Sequence, residues 1–366
     1  MPTSTPTMNS IAWWRTSFGE REVETLKKAV VNEQISEGAL TKQLEAQLAA
    51  SLGAPYAVMT TSGSTALLLA LMALGIGRED EVIVPNRTWI ATAHAVLMAG
   101  AKVVLVDVRP DVPVMDVSKI EEKITPKTKA ILVVHLNGRC ADMEAVHKIA
   151  REYGLFVIED AAQALYSRNA KGFLGTQSDA GCFSLGVSKL ISTGQGGFVV
   201  TRKPRVYEQM KLIKNHGITD IFTDTWNHLG FNFKFTDLLA SFGLAQMTRV
   251  SERIVHLKEL YARYARGIAL LPFLKMVPVN IAAGEFPIYA EVLCQERGPF
   301  IKFLKSQGIQ TRPVPPNLSI SNYIENDGKF PNSEIFAKGG MYLPCGPAQS
   351  FENVASVIEA LQRYKS

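Results

Sequence analysis

After residue 50 the chain alternates between short Val/Ile-rich runs and stretches with helical character, and few folds accept that alternation. The runs are AVMTT near 57, EVIVP near 81, AKVVLVDV near 101, AILVVHL near 130, LFVIED near 155, CFSL near 182 and GFVVT near 197. Amphipathic stretches such as ALLLALMALGI and MEAVHKIAREYG lie between several of them. This is the pattern of an α/β domain, a mostly parallel sheet covered by helices. From about residue 250 the spacing changes. A long helical pattern, SERIVHLKELYARYARGIALL, leads into IYAEVLC, a helix-like FIKFLKSQG, a Pro-rich turn TRPVPP and a final helix FENVASVIEALQRY. We read residues 1–250 as a large domain carrying an N-terminal segment, and 251–366 as a smaller α+β domain. A chain of 366 residues that is 47% apolar exceeds what one core covers, which agrees with this division.

The formal charge of +5 is dispersed, with no basic tail or arginine stripe, so nucleic acid is not indicated and small anions are. Cys140, Cys182, Cys294 and Cys345 are far apart, and neither pair as CxxC nor cluster with His. That argues against a metal site and a disulfide framework, and for reduced thiols acting as small hydrophobes. The start, MPTSTPTMNSIAWW, lacks the charge and apolar stretch of a secretory signal and reads as a frayed tail. Apolar runs elsewhere fall short of the roughly 18 residues a membrane span needs. The expectation is a soluble cytoplasmic protein.

Five segments can carry chemistry. Ser62-Gly63-Ser64-Thr65 follows a strand and opens a helix, so backbone N–H groups, hydroxyls and the helix dipole converge on one anion-sized spot. An ordinary helix cap is the other reading. In Pro85-Asn86-Arg87-Thr88-Trp89, also past a strand end, Trp89 either stacks on a flat ring or fills the core. Glu159-Asp160-Ala161-Ala162-Gln163 ends a buried strand, where a carboxylate needs a cationic or hydrogen-bonding partner or serves as a helix cap. Lys189 lies in FSLGVSKLISTGQGG, an apolar, glycine-flanked segment. There it is either a desolvated, nucleophilic amine or a surface lysine with a buried stem. Gly230-Phe231-Asn232-Phe233-Lys234-Phe235-Thr236-Asp237 leads from an aromatic alternation into another helix.

One cofactor unites the first four: a phosphate cradle, a stacking aromatic, a carboxylate for a ring nitrogen and an imine-forming lysine describe pyridoxal 5'-phosphate. A nicotinamide dehydrogenase is disfavoured because TTSGSTA lacks spaced glycines and Gly194-Gln195-Gly196-Gly197 precedes a strand. A non-catalytic cofactor or sugar sensor on the same fold is the remaining alternative.

At these residues the chain resembles the DegT/DnrJ/EryC1/StrS sugar aminotransferases. The resemblance runs from about residue 15 to the C-terminus through QISEGALTKQLEAQLAASLGAPYAV, SGSTALLLALMALGIGREDEVIVP, VIEDAAQA, FSLGVSKLISTGQGG, GFNFKFTDLLASFGLAQ, GIQTRPVPP and MYLPCGPAQS. It implies the aspartate-aminotransferase fold (pyridoxal-phosphate fold type I), with a seven-stranded, mostly parallel sheet. It also implies that Lys189 is the Schiff-base lysine and proton carrier, and that Asp160 is the partner of the ring nitrogen. Gln163 would lie beside the ring face and phenolic oxygen, with Trp89 stacked on the ring. Gly63, Ser64, Thr65 and Ser184 would meet the phosphate. Asn232 would reach the phosphate of a neighbouring subunit, making a homodimer with shared active sites. The implied reaction moves an amino group from L-glutamate to a nucleotide-linked keto-sugar, foremost a 4-keto-6-deoxyhexose. A 3-keto sugar, a UDP-N-acetylhexosamine derivative and a keto-cyclitol are the alternatives. Asn137-Gly138-Arg139 and Arg312-Pro313-Val314-Pro315 are expected to face the substrate. Two positions depart from the family pattern: Gly186 stands where many members have His, and Gln195 where many read TGEGG. Dehydratase relatives replace the lysine with His; this chain keeps Lys189, which favours transamination.

Overall fold

The computed structural model describes residues 10–364 except 221, 223, 224 and 327. The first nine residues of the expected frayed tail therefore lie outside the described residues. Seven strands form the main sheet: β1 Tyr56–Thr60, β2 Glu81–Pro85, β3 Lys102–Val106, β4 Thr128–Val134, β5 Phe156–Asp160, β8 Ala180–Ser184 and β9 Gly197–Thr201, in the order β1-β9-β8-β5-β4-β2-β3. A small hairpin, β6 Arg168–Asn169 with β7 Gly172–Phe173, stands apart. The pairings from β3 through β8 are parallel, and β9 alone runs opposite to its neighbours β8 and β1. All seven expected strands are present.

These strands read as unbroken apolar runs because both faces are covered. Val82 and Val84 of β2 pack on helices α3 (Gly63–Ala73) and α4 (Ala91–Met98), while Ile83 between them packs with Val146 and Ile149 of α5 (Met143–Tyr153). Helix α6 (Pro204–Lys214) joins the first face. On the second face Met59, Phe183, Phe198 and Val200 meet Leu44 and Leu48 of α2 (Ala39–Leu52). Asp237, the first residue of α7 (Asp237–Met247), accepts from the Gly38, Leu40 and Thr41 backbone N–H groups at 2.9, 3.1 and 2.8 Å. It thus caps α2 from about two hundred residues away. Helix α1 (Glu20–Val31) lies against α7.

Helix α8 (Val250–Ile268) leads to an antiparallel second sheet, β10 Leu274–Met276, β11 Ala290–Cys294, β12 Arg312–Pro313 and β13 Gly340–Leu343, ordered β10-β11-β13-β12. Helices α9 (Arg297–Ser306), α10 (Pro331–Gly339) and α11 (Phe351–Arg363) complete this part. Residues 11–15, grouped with the large domain on sequence grounds, run beside this second sheet instead. Ile11 bridges Ile309 and Trp14 bridges Cys345, with Cys345 N–H donating to Trp13 O at 2.8 Å. Among the described residues no helix is long and apolar enough to cross a membrane.

Candidate active site

The topology sends the loops after β1, β2, β5 and β8 to one edge of the main sheet, where β9 begins. Gly197 pairs with both Thr60 and Ser184, so three strand ends lie side by side. This C-terminal edge is where open α/β sheets bind ligands. A cavity of about 330 Å3 opens there, lined by Ser62, Gly63, Ser64, Trp89, Asp160, Gln163, Ser184 and Lys189, with Trp13, Tyr289, Arg312 and Tyr342 on its other side.

The turn after β1 is built on a capping box. Ser62 Oγ accepts from Thr65 N–H at 3.1 Å, and Thr65 Oγ1 accepts from Ser62 N–H at 2.9 Å. That commits the Thr65 hydroxyl to the helix start, and Thr65 does not line the cavity, contrary to the sequence expectation of a hydroxyl there. Ser62 lines it instead. The Gly63 and Ser64 N–H groups have no hydrogen-bond partner among the described residues. Opposite them Ser184 Oγ accepts from Gly186 N–H at 3.3 Å. The two turns nearly touch: a Cβ on Gly63 would lie 2.8 Å from Ser184 Cβ, and one on Gly197 would lie 2.4 Å from the Ser62 carbonyl carbon.

Asp160 ends β5 only 6% exposed. Its Oδ2 accepts from Thr92 Oγ1 at 2.8 Å and its Oδ1 from Ala162 N–H at 3.1 Å. Burial holds this carboxyl above its usual range, against which those two hydrogen bonds and the charge of Lys189 work. Glu159, next door, faces the other side of the sheet. It accepts from His135 Nε2 at 3.0 Å and from the Gly175 and Gln177 N–H groups at 2.7 and 2.8 Å. Of the two acidic residues, only Asp160 reaches the cavity.

Lys189 is half-buried, less enclosed than its apolar sequence neighbours suggested, because the loop after β8 is open on the cavity side. Its ammonium has no hydrogen bond or ion pair among the described residues. The backbone around it is fixed from two directions. Val187 O accepts from Trp14 Nε1 at 3.0 Å and Thr16 Oγ1 at 2.9 Å, and Ser188 O accepts from Tyr289 OH at 2.9 Å. Trp89 is 48% exposed, which excludes the core reading and leaves a ring face at the cavity wall. Gln163 Oε1 accepts from Asn137 N–H at 2.9 Å.

Asn232 is exposed, accepts from Lys234 N–H at 3.3 Å and does not line the cavity of its own chain. The Asn137-Gly138-Arg139 segment, expected to face substrate, is buried and structural instead. Arg139 Nη1 pairs with Glu291 at 2.6 Å and its Nε donates to Pro278 O at 2.8 Å, because a buried guanidinium must find acceptors. Arg312 does line the cavity. Trp13, Tyr289 and Tyr342 were not anticipated. The buried phenol of Tyr342 is pushed well above its usual value and stays a neutral hydroxyl.

The donor set fits pyridoxal phosphate. Gly63 and Ser64 N–H groups and the Ser184 hydroxyl suit a phosphate, and Trp89 suits a flat ring. A buried carboxylate suits a protonated ring nitrogen, and an unpaired amine suits an aldehyde.

Comparison with known proteins agrees. Residues 16–362 match the model of the DegT/DnrJ/EryC1/StrS aminotransferase family. The chain is similar to a GDP-perosamine synthase of Escherichia coli O157:H7, 34% identical over 367 residues, covering 98% of this chain and 100% of the relative. It is also similar to a dTDP-3-amino-3,4,6-trideoxy-alpha-D-glucose transaminase of Streptomyces venezuelae, 34% identical over 328 residues, 87% of this chain and 86% of the relative. The PLP form of the sugar aminotransferase Spr1654 of Streptococcus pneumoniae superposes with a TM-score of 0.90 at 25% identity, covering 96% of this chain and 97% of the other. Along almost its whole length, then, the chain belongs to the DegT/DnrJ/EryC1/StrS aminotransferase family and is a pyridoxal-phosphate enzyme of the aspartate-aminotransferase fold.

Proposed function

We propose that this aminotransferase takes the amino group of L-glutamate and delivers it to a nucleotide-linked 4-keto-6-deoxyhexose, as in GDP-perosamine synthesis. The observation that carries the reading is the meeting of Lys189 and Asp160 with the Gly63/Ser184 cradle in one cavity, in a chain matching a GDP-perosamine synthase end to end. Residues up to 250 supply most of the cofactor-binding part, and 251–366, with residues 11–15 beside them, supply the smaller part on the cavity's other side. A homodimer with shared sites accounts for Asn232, which is exposed and does not line the cavity of its own chain. Four free, scattered thiols suit the reducing cytoplasm.

Pyridoxal phosphate, when bound, supplies an electron-withdrawing ring that lowers the cost of negative charge on a neighbouring carbon. Asp160, oriented by Thr92, would keep a proton on the ring nitrogen. Ser184 and the Gly63 and Ser64 N–H groups would hold the phosphate. Trp89 and Gln163 would fix the ring plane. Lys189 Nζ would hold the cofactor and, free in the cavity, would move the proton off the donor's Cα and later deliver one to the sugar carbon.

The test incubates purified enzyme and L-glutamate with a panel of nucleotide-linked keto-sugars and follows amino-sugar formation by mass. GDP-4-keto-6-deoxymannose is the expected substrate, with one 2-oxoglutarate formed per amino sugar. Turnover confined to 3-keto sugars would instead support the second reading, favoured by the similarity to the Streptomyces 3-amino-sugar transaminase.

A further inference from the structure

The chain leaving β4 turns through a conformation that most residues resist. Asn137 is fully buried with φ 53 and ψ 40, in the left-handed region, which Asn tolerates better than most residues with a Cβ. Gly138 follows at φ 79, where a Cβ would run into Phe286 O. Such a conformation persists only where its surroundings hold it. Here the Asn137 side chain supplies the hold. Its Oδ1 accepts from the Ile288 and Tyr289 N–H groups at 3.0 and 2.8 Å, and its Nδ2 donates to Tyr289 O at 3.0 Å and Glu291 Oε2 at 3.3 Å. Asn137 is thereby fastened to the lead-in of β11, the segment whose Tyr289 hydroxyl holds Ser188 O beside Lys189.

With its side chain so engaged, Asn137 directs its backbone N–H at Gln163 Oε1, 2.9 Å away. An amide side chain can offer a cavity either its oxygen or its nitrogen. A backbone N–H decides between them, since it only donates and so claims the oxygen. Gln163 lines the cavity three residues past Asp160, and its Nε2 has no hydrogen-bond partner among the described residues. The wall at that point is therefore a donor, suited to an oxygen that carries negative charge. Pyridoxal phosphate has one such oxygen directly on its ring, the phenolic one, beside the carbon arm that Lys189 joins.

We infer that Asn137 is a positioning residue for the cofactor, its backbone N–H locking the Gln163 amide so that Nε2 faces the phenolic oxygen, which rests on the aminotransferase reading above. Asn137 itself touches neither cofactor nor substrate and acts through Gln163. The phenolic oxygen and the nitrogen that joins Lys189 to the cofactor share a proton. A donor on the oxygen favours its charged form, so the nitrogen sheds that proton at lower pH. An amide released from Asn137 would also turn its own oxygen to the ring, which repels the charge and keeps the proton on to higher pH.

The test follows the visible absorbance of cofactor-loaded enzyme against pH, without substrate, in wild type, Asn137→Gly, Gln163→Leu and the double variant. Glycine keeps the left-handed backbone and removes only the side chain that holds it. The absorbance midpoint is expected to rise by about one pH unit in each single variant, the size of one hydrogen bond to a charged group. The double variant is expected to match Gln163→Leu within about 0.3 unit, because Asn137 has nothing left to act through. The titratable groups lining the cavity, Asp160, Lys189, Tyr289, Arg312 and Tyr342, are the same in all four proteins, so a difference belongs to the amide. A purely structural asparagine would lower the melting temperature and leave the midpoint in place. An Asn137→Gly midpoint equal to wild type therefore overturns the inference, as does a double variant that shifts by the sum of the two. Asn137→Ser, whose hydroxyl keeps an acceptor near the Tyr289 N–H, carries the same comparison if the glycine variant does not fold. A wild type that gains no visible band with pyridoxal phosphate overturns the aminotransferase reading and this inference with it. A band that titrates alike in all four proteins overturns the inference alone.

Discussion

Asp160 sits at a balance point between burial and partnership. Because burial raises its carboxyl pKa, the folded apoprotein holds that proton longer than the unfolded chain does. Below the ordinary Asp value of about 3.9 the group is protonated in both states, and its contribution to stability is intact. As pH climbs through the raised value, that contribution is lost. A cationic ring nitrogen beside the carboxylate reverses the effect, since it favours the charged form. The melting-temperature gap between cofactor-loaded and cofactor-free wild type should therefore widen over this window. In Asp160→Asn it should stay flat; calorimetric scans at several pH values decide, and equal widening in both proteins would refute the assignment. Asp160 and Lys189 were legible in the sequence because each ends or follows a recognisable strand. The direction of Thr65's hydroxyl was not, since the same Ser-x-x-Thr spacing serves both a phosphate and a capping box, and here the box takes it.

The turns and loops around the cavity act as pairs. Gly63 and Ser184 approach so closely that Gly63→Ala forces the helix start and the lysine loop apart. At an overpacking cost of about 1–3 kcal/mol, cofactor affinity should fall roughly tenfold or more, measured by absorbance titration of the apoenzyme. Tyr289→Phe removes the bond to Ser188 O, worth about 1 kcal/mol, and loosens the backbone that aims Lys189. Turnover should drop roughly fivefold with melting temperature nearly unchanged, and an equal loss in both would mean the hydroxyl only supports the fold. The seven strands were readable because each is a short apolar run bounded by polar turns. Tyr289, Trp13 and Tyr342 were not, because nothing local marks a side chain whose partner lies more than a hundred residues away. Asn137 to Arg139 looked like a binding loop for the same reason. Only the second sheet, through Glu291, explains why an arginine is there.

For the molecule as a whole, that Arg139–Glu291 pair ties the main sheet to the second one, both side chains 2% exposed. Arg139→Met strands a buried carboxylate and should lower unfolding stability by roughly 3 kcal/mol or more in denaturant titrations. If Asn232 completes a neighbour's site, Lys189→Ala and Asn232→Asp proteins, each impaired alone, should regain turnover when unfolded and refolded together. In the mixed dimer one site combines an intact lysine with an intact asparagine. No recovery on mixing would sink the shared-site dimer.

The hydrogen bonds on Val187 and Ser188 have a consequence for the chain as it is made. Trp14 and Thr16 reach the lysine loop from one end of the chain, and Tyr289 reaches it from well beyond the main sheet. A nascent chain emerging from the ribosome has the lysine long before it has the tyrosine that holds its loop. The loop that carries Lys189 therefore gains its full set of backbone anchors only once the chain has been made as far as Tyr289.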